Sequence, residues 1–224
     1  MKKIVLLTKQ DKFSTNIANL TRSIYSDSVI HYSGNTGSVY PEELNSIDSK
    51  WIISFLSPWV IPESILKKNE IAINFHPGST YYPGTGCYNF ALYEEAREYG
   101  AVCHFMNKTV DSGEIILEKQ FPIFDSDTVE SLKLRTLIVM SEMYHEIISK
   151  LYLDIELVPS GISWKRKPFT RRELDELMII KPSMSESEIK KRVRATTYPG
   201  YKGPYMVKND ELFYYPVPDR EPIA

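Results

Sequence analysis

The stretch Ile71-Ala72-Ile73-Asn74-Phe75-His76-Pro77-Gly78 carries an apolar run into an amide and an imidazole and then stops. The alternation from Ile71 to Phe75 reads as a strand. Its period of two puts Asn74 and His76 on one face while Phe75 turns to the other. Pro77 and Gly78 end it. Open α/β sheets hold their ligands beyond the carboxyl ends of parallel strands, so a buried parallel strand here would present Asn74 and His76 to a ligand. Further along, Val110-Asp111-Ser112-Gly113 adds a carboxylate in what reads as a turn between two strands.

Around this segment, strand-like and helix-like patterns alternate through residues 1 to about 125. Lys3 to Leu7 and Trp51 to Phe55 read as strands and Thr15 to Ile24 as a helix. A helix over Tyr88 to Glu98 and strands at Ala101 to Met106 and Glu114 to Phe121 follow. Short apolar strands between helices predict a mainly parallel sheet covered on both faces, an α/β Rossmann-like fold. No G-x-G-x-x-G follows the first strand, and Gly34 and Gly37 fall in a polar loop, so a dinucleotide is not expected. Thr128 to Lys150 carries a long helical pattern that closes a first domain over residues 1–150. Residues 151–224 form a small α+β subdomain. In it Thr170 caps a helix at Arg171 to Met178, Ser185 and Glu188 make a capping box ahead of Ile189 to Arg194, and Tyr205 to Val207 with Leu212 to Tyr215 form a hairpin.

With 224 residues, 42% hydrophobic and 25% charged, the chain can bury one core and a small appendage. A net charge of −2 gives no footprint for nucleic acid. The opening apolar run is too short for a signal peptide or membrane span, so a cytoplasmic protein with no membrane partner is expected. Cys87 and Cys103 make no disulfide framework. No His, Cys, Asp or Glu cluster has metal-ligand spacing, and no metal is expected. His104 reads as a satisfied structural histidine, and Cys87 as packing.

Asn74-Phe-His76-Pro-Gly-Ser, Tyr82-Pro-Gly84, Ala101-Val-Cys-His-Phe-Met106 and Val110-Asp111-Ser-Gly113-Glu-Ile-Ile together resemble the formyltransferase family that uses 10-formyltetrahydrofolate. The resemblance spans roughly the first two-thirds of the chain and implies that Asn74, His76 and Asp111 are catalytic. Attack of an amine on a formyl carbon puts negative charge on oxygen and positive charge on nitrogen. The Asn74 amide would donate to the oxyanion, and His76 would take the amine's proton or, if protonated, donate to the same oxygen. In the family the matching aspartate lies beside the histidine and holds a proton-relaying water. Such a carboxylate would also raise the pKa of His76 and fix its orientation. One wall of the folate pocket would come from Trp51 to Pro62, with contacts from Phe55, Leu56, Ser57, Pro58, Val60 and Ile61. The other would come from Phe105, Met106, Asn107 and Val110. Core packing is an equal alternative for Phe55 and Trp59.

Among the branches of this family, the purine branch carries a glycine- and serine-rich loop after the first strand, where this chain has Thr8-Lys-Gln-Asp-Lys-Phe-Ser14. The initiator-tRNA branch adds a larger tail and a basic surface, and the deformylase branch a preceding domain. Arg194-Ala-Thr-Thr-Tyr198-Pro-Gly200 followed by a hairpin is similar to the branch that formylates amino groups of nucleotide-linked sugars. The expectation is therefore an enzyme acting on a nucleotide sugar. The alternatives are a tRNA-type formyltransferase or a non-catalytic folate or nucleotide-sugar binding protein. Tyr82, Gly84 and Tyr198 are expected on the substrate side. A flat base and a diphosphate call for an aromatic surface and cations, which Trp164, Lys165, Arg166 and Arg194 would supply. Related enzymes often pair, so a homodimer is plausible.

Overall fold

The computed structural model describes residues 3–223; Met1, Lys2 and Ala224, at the outer ends of the two expected spans, lie outside the described residues. One sheet contains β1 (Lys3–Lys9), β2 (Val29–Gly34), β3 (Ser49–Phe55), β4 (Ile71–His76), β5 (Glu98–Phe105) and β6 (Ile115–Pro122), in the order β2-β1-β3-β4-β5-β6. The pairings from β2 through β4 are parallel, whereas β4–β5 and β5–β6 are antiparallel. The helices are α1 (Lys12–Tyr25), the short α2 (Glu63–Leu66), α3 (Cys87–Tyr93) and the long α4 (Val129–Tyr152).

Alternation along the buried strands decides which side chains meet which layer. Ile53, Phe55, Ile73 and Phe75 point to the face covered by α1 and α4, in one core with Ile17, Leu137, Met140 and Tyr144. The Phe75 ring lies 5.2 Å and the Phe55 ring 5.9 Å from that of Tyr144. Burying each such ring contributes about 1.5–3 kcal/mol. The opposite face packs Val5, Leu7, Ile52, Ile61, Ile65 and Ala72. That second face also carries Ser54 and Asn74, which pair with each other across β3 and β4.

Helix ends follow local chemistry. Asp11 caps α1 by accepting from the Ser14 N–H at 2.8 Å, and Thr128 and Ser131 form a reciprocal capping box at α4. Beyond α4 come α5 (Arg171–Leu177), β7 (Ile179–Ile180), α6 (Glu186–Thr196), β8 (Tyr205–Lys208) and β9 (Glu211–Tyr214). Strands β7, β8 and β9 form a second small sheet. Asn209 and Asp210 both take positive φ, 51° and 62°, as the turn of this two-residue hairpin requires. The tail shares a core with the rest of the chain: Phe169, Leu177 and Ala195 are buried with Tyr82, Phe90, Tyr99 and Leu132.

Several elements differ from the sequence reading. The expected loop at Gly34 is the end of strand β2, which the sequence reading left out. The helix expected to run to Glu98 stops at Tyr93, where Glu95 turns left-handed at φ 53°, and Glu98 already belongs to β5. Thr170 and Glu173 form the full capping box of α5. At α6 only half a box exists: Ser185 accepts from the Glu188 N–H, while the Glu188 carboxylate is engaged by Arg192 and Tyr93. Among the described residues no helix is long and apolar enough to cross a membrane.

Candidate active site

The antiparallel register of β4 and β5 sets His104 opposite Asn74. Ser54, Asn74 and His104 thus form a lateral row across three strands on one face. Asp111 follows β5 in a left-handed conformation, φ 44°, which swings its carboxylate back under that row. It is 5% exposed and lies at the centre of the cluster. Oδ2 accepts from the Gly84 N–H at 2.8 Å and lies 3.1 Å from His76 Nδ1. Oδ1 lies 3.4 Å from His104 Nε2 and 3.5 Å from Asn74 Nδ2. Asn74 Nδ2 is also 3.2 Å from His104 Nε2.

Burial alone would raise the Asp111 carboxyl, but the neighbouring His76 and His104 outweigh it and hold the group well below the usual carboxylate range. His76 mirrors this: burial lowers it, the Asp111 charge and hydrogen bond raise it, and the net shift is upward. Its Nε2 lies 2.8 Å from the Tyr82 carbonyl oxygen. A carbonyl and a carboxylate can only accept, so an imidazole between them is satisfied as a cation donating from both nitrogens. His104 Nδ1 faces the Phe105 carbonyl at 2.8 Å and therefore carries a hydrogen, leaving Nε2 towards the Asn74 amide.

Beside this cluster opens a cleft of about 380 Å³, in the range of small-molecule sites. Asn74, His104, Asp111 and Gly84 form its polar end. Ser57, Pro58, Val60, Ile61, Met106, Asn107 and Val110 line the rest. These were expected, and Trp59, whose role the sequence left even, joins them with its indole N–H donating to the Ser38 and Val39 carbonyls. Ser54, Leu66, Thr85, Thr109 and His104 also line it, and sequence reasoning missed them. Trp59, Ile61 and Met106 give the cleft an apolar lining. The alternation of β3 corrects Phe55, which is fully buried on the α4 face, and Leu56 and Phe105 pack against that same core.

His76 is 4% exposed and does not line the cleft; it stands behind Asp111. His104, read as a structural histidine, faces the cleft in its place. Cys87 is buried with its thiol on the Pro77 carbonyl, and burial pushes it up to about 12, so no thiolate forms there. Among the described residues no group of three or more His, Cys, Asp or Glu could hold a metal ion.

The residues expected on the substrate side divide. Tyr82 is buried and gives its carbonyl to His76. Gly84 takes φ 85°, and a Cβ there would lie 2.4 Å from the Phe169 carbonyl oxygen. Trp164 packs edge-on against His76 and His104, and Lys165 donates its backbone N–H to Thr80. Arg166 pairs with Glu94 at 2.9 Å and lies 3.6 Å over the Phe169 ring. Arg194 is used elsewhere: its guanidinium donates to the Asp127 and Phe124 carbonyls, fastening α6 to the start of α4. Tyr198 accepts from Lys133 at 2.9 Å and does not line the cleft.

Residues 43–148, the span of the sheet that carries Asn74, His76, His104 and Asp111, match the model of the formyl transferase family. A phosphoribosylglycinamide formyltransferase from Dictyostelium discoideum is 30% identical over 143 residues, 57% of this chain and 68% of that protein. The chain belongs to the formyl transferase family. Within it, a GDP-perosamine N-formyltransferase from Brucella melitensis is 28% identical over 172 residues, 76% of this chain and 65% of that one. The first curated relatives are thus spanned over 31% to 65% of their length. A solved sugar N-formyltransferase from Shewanella superposes at a TM-score of 0.79, covering 95% of this chain and 96% of that one at 16% identity, a likeness of fold that includes the tail.

Proposed function

We propose that this formyl transferase moves a formyl group from 10-formyltetrahydrofolate to the amino group of a nucleotide-linked amino sugar, in the cytoplasm. The observation that carries the reading is the convergence of Asn74, His104 and Asp111 at one end of a cleft of about 380 Å³, with His76 behind. Asn74 Nδ2, at the polar end of the cleft, lies 3.2 Å from His104 Nε2 and 3.5 Å from Asp111 Oδ1, and exchanging the longer of these contacts for the formyl oxygen would let the amide donate to the charge that develops there. Asp111, kept ionised by His76, is the negative charge nearest the cleft. It draws the positive charge that develops on the attacking nitrogen and, being held too low to keep a proton, passes the one that nitrogen loses on to the departing folate nitrogen as its bond to the formyl carbon breaks. The resemblance to the Brucella GDP-perosamine enzyme runs into the tail and supports a sugar acceptor, as does the tail's position. Its segment 160–169 borders the site, and Lys165 and Arg166 on it are exposed cations that a diphosphate could meet.

The half-exposed edge strand β9, with Leu212, Phe213 and Tyr214 at its surface, is where a second copy would pair; sedimentation velocity of a Phe213→Lys variant tests this as loss of a dimer. The activity itself is tested by mixing the protein with 10-formyltetrahydrofolate and GDP-, dTDP- and UDP-amino sugars alongside glycinamide ribonucleotide. A formyl mass increment on a sugar nucleotide supports the reading. Transfer to glycinamide ribonucleotide alone would replace the sugar acceptor, and transfer to none would remove the enzymatic reading.

A further inference from the structure

The strap from Ser160 to Phe169 crosses the active site and is held on both sides of it. On one side Ser160 donates both its N–H and its hydroxyl to the Ile115 carbonyl, at 2.7 and 2.9 Å. On the other, Lys165 donates to Thr80 at 3.0 Å, Phe169 to Pro83 at 2.9 Å, and Thr85 to Phe169 at 3.0 Å. Between these anchors Trp164 turns inward. Its Nε1 donates to the Gly113 carbonyl at 2.8 Å. Its ring stands edge-on to His104, with centroids 5.3 Å apart, and to His76 at 5.9 Å. Gly113 is itself pressed on the Phe105 carbonyl, where a Cβ would sit at 1.7 Å, and that same carbonyl accepts from His104 Nδ1. Trp164 therefore touches the two imidazoles flanking Asp111 and the far end of the turn that carries Asp111, without lining the cleft.

We propose that Trp164 is a positioning residue: it fixes the rotamers of His76 and His104 and the Asp111–Gly113 turn, so that the tail completes the catalytic cluster and does not merely cover it. This rests on the formyl transfer assigned to the site. An edge-on indole restrains a ring that has only two hydrogen bonds to hold it, and small displacements of such groups are costly in rate.

The test uses the full chain as wild type, Trp164→Ala and Trp164→Phe. Trp164→Ala is expected to lower kcat about ten- to hundredfold with the KM of folate and acceptor and the melting temperature nearly unchanged. Trp164→Phe keeps a ring against both imidazoles, loses only the donor to Gly113, and should recover most of the rate. A rise in acceptor KM at unchanged kcat would make Trp164 a substrate contact. A kcat loss that follows a fall in melting temperature in both variants would make it packing. Either overturns the proposal, as does an unchanged kcat. Histidine ring resonances of the free protein separate this from failure of the functional reading. The His76 and His104 signals should broaden or double in Trp164→Ala and stay single in Trp164→Phe, whether or not any amino sugar is turned over. Identical signals in all three proteins would sink the positioning role on their own.

Discussion

Asp111 and Glu130 are both buried carboxylates, 5% and 6% exposed, and their surroundings give them opposite uses. Glu130, in the first turn of α4, takes both terminal nitrogens of Arg220 and the Ile223 N–H. Its partners are one permanently charged group and one backbone amide, and neither titrates in the physiological range. Asp111 instead meets two imidazoles, an amide side chain and the Gly84 N–H, and it opens on a cleft. Equally low exposure thus goes with a clasp near the surface in one place and with chemistry deep in the fold in the other. What separates them is whether the partners can exchange protons and whether a ligand can reach the pair.

The largest expected effect falls on the Asp111 side. Asp111→Ala and His76→Gln should each lower formyl transfer at least about a hundredfold, with folate binding retained, the size expected for a lost positioned acid-base group. Single-turnover rates at saturating folate measure this, and a near-normal rate in either variant would remove that residue from the mechanism. Asn74→Ala comes next. Its contact is to charge present only in the transition state, so the rate should fall about a hundredfold with folate affinity unchanged. A loss confined to affinity would contradict that role.

The third effect is on stability. His76 is raised above its ordinary 6.5, so its contribution is full below that pH and is lost as pH rises through the higher folded value. Asp111 is depressed below 3.8, so its contribution is present above that pH and is lost as pH falls. The pair therefore stabilises most between the two. Urea melts should show His76→Gln most damaging near pH 5–6 and progressively less so as pH rises; a deficit that grows with pH would reverse the assignment.

Much of this was legible from the residues. The strand through Asn74, the face it shares with His76 and the pairing of Asp111 with that histidine follow from a period of two and a recognisable motif order. The register of β4 against β5 was not legible, because antiparallel pairing is set by the tertiary path of residues 77–97. The cleft-facing place of His104 was hidden with it. β3 is buried on both faces, so its hydrophobicity does not alternate and Phe55 could not be told from Ser54 as the residue facing the cleft. Arg194 sits in a basic helix whose sequence gives no hint that its guanidinium is taken by two carbonyls.

The smallest effect belongs to the clasp. Glu130→Gln keeps the shape but loses the charge on a half-exposed arginine, a loss of about 1 kcal/mol. That corresponds to a melting temperature lower by about 2–4 °C, with kcat unchanged. Activity falling with stability there would join the two regions that the account keeps apart.

The most direct measurement sets the two carboxylates side by side: Asp111→Asn and Glu130→Gln, each assayed for single-turnover formyl transfer and for melting temperature. The account predicts a crossed result, with Asp111→Asn losing at least about a hundredfold in rate while still binding folate, and Glu130→Gln losing a few degrees while turning over normally. Asp111→Asn transferring formyl at close to the wild-type rate would contradict it.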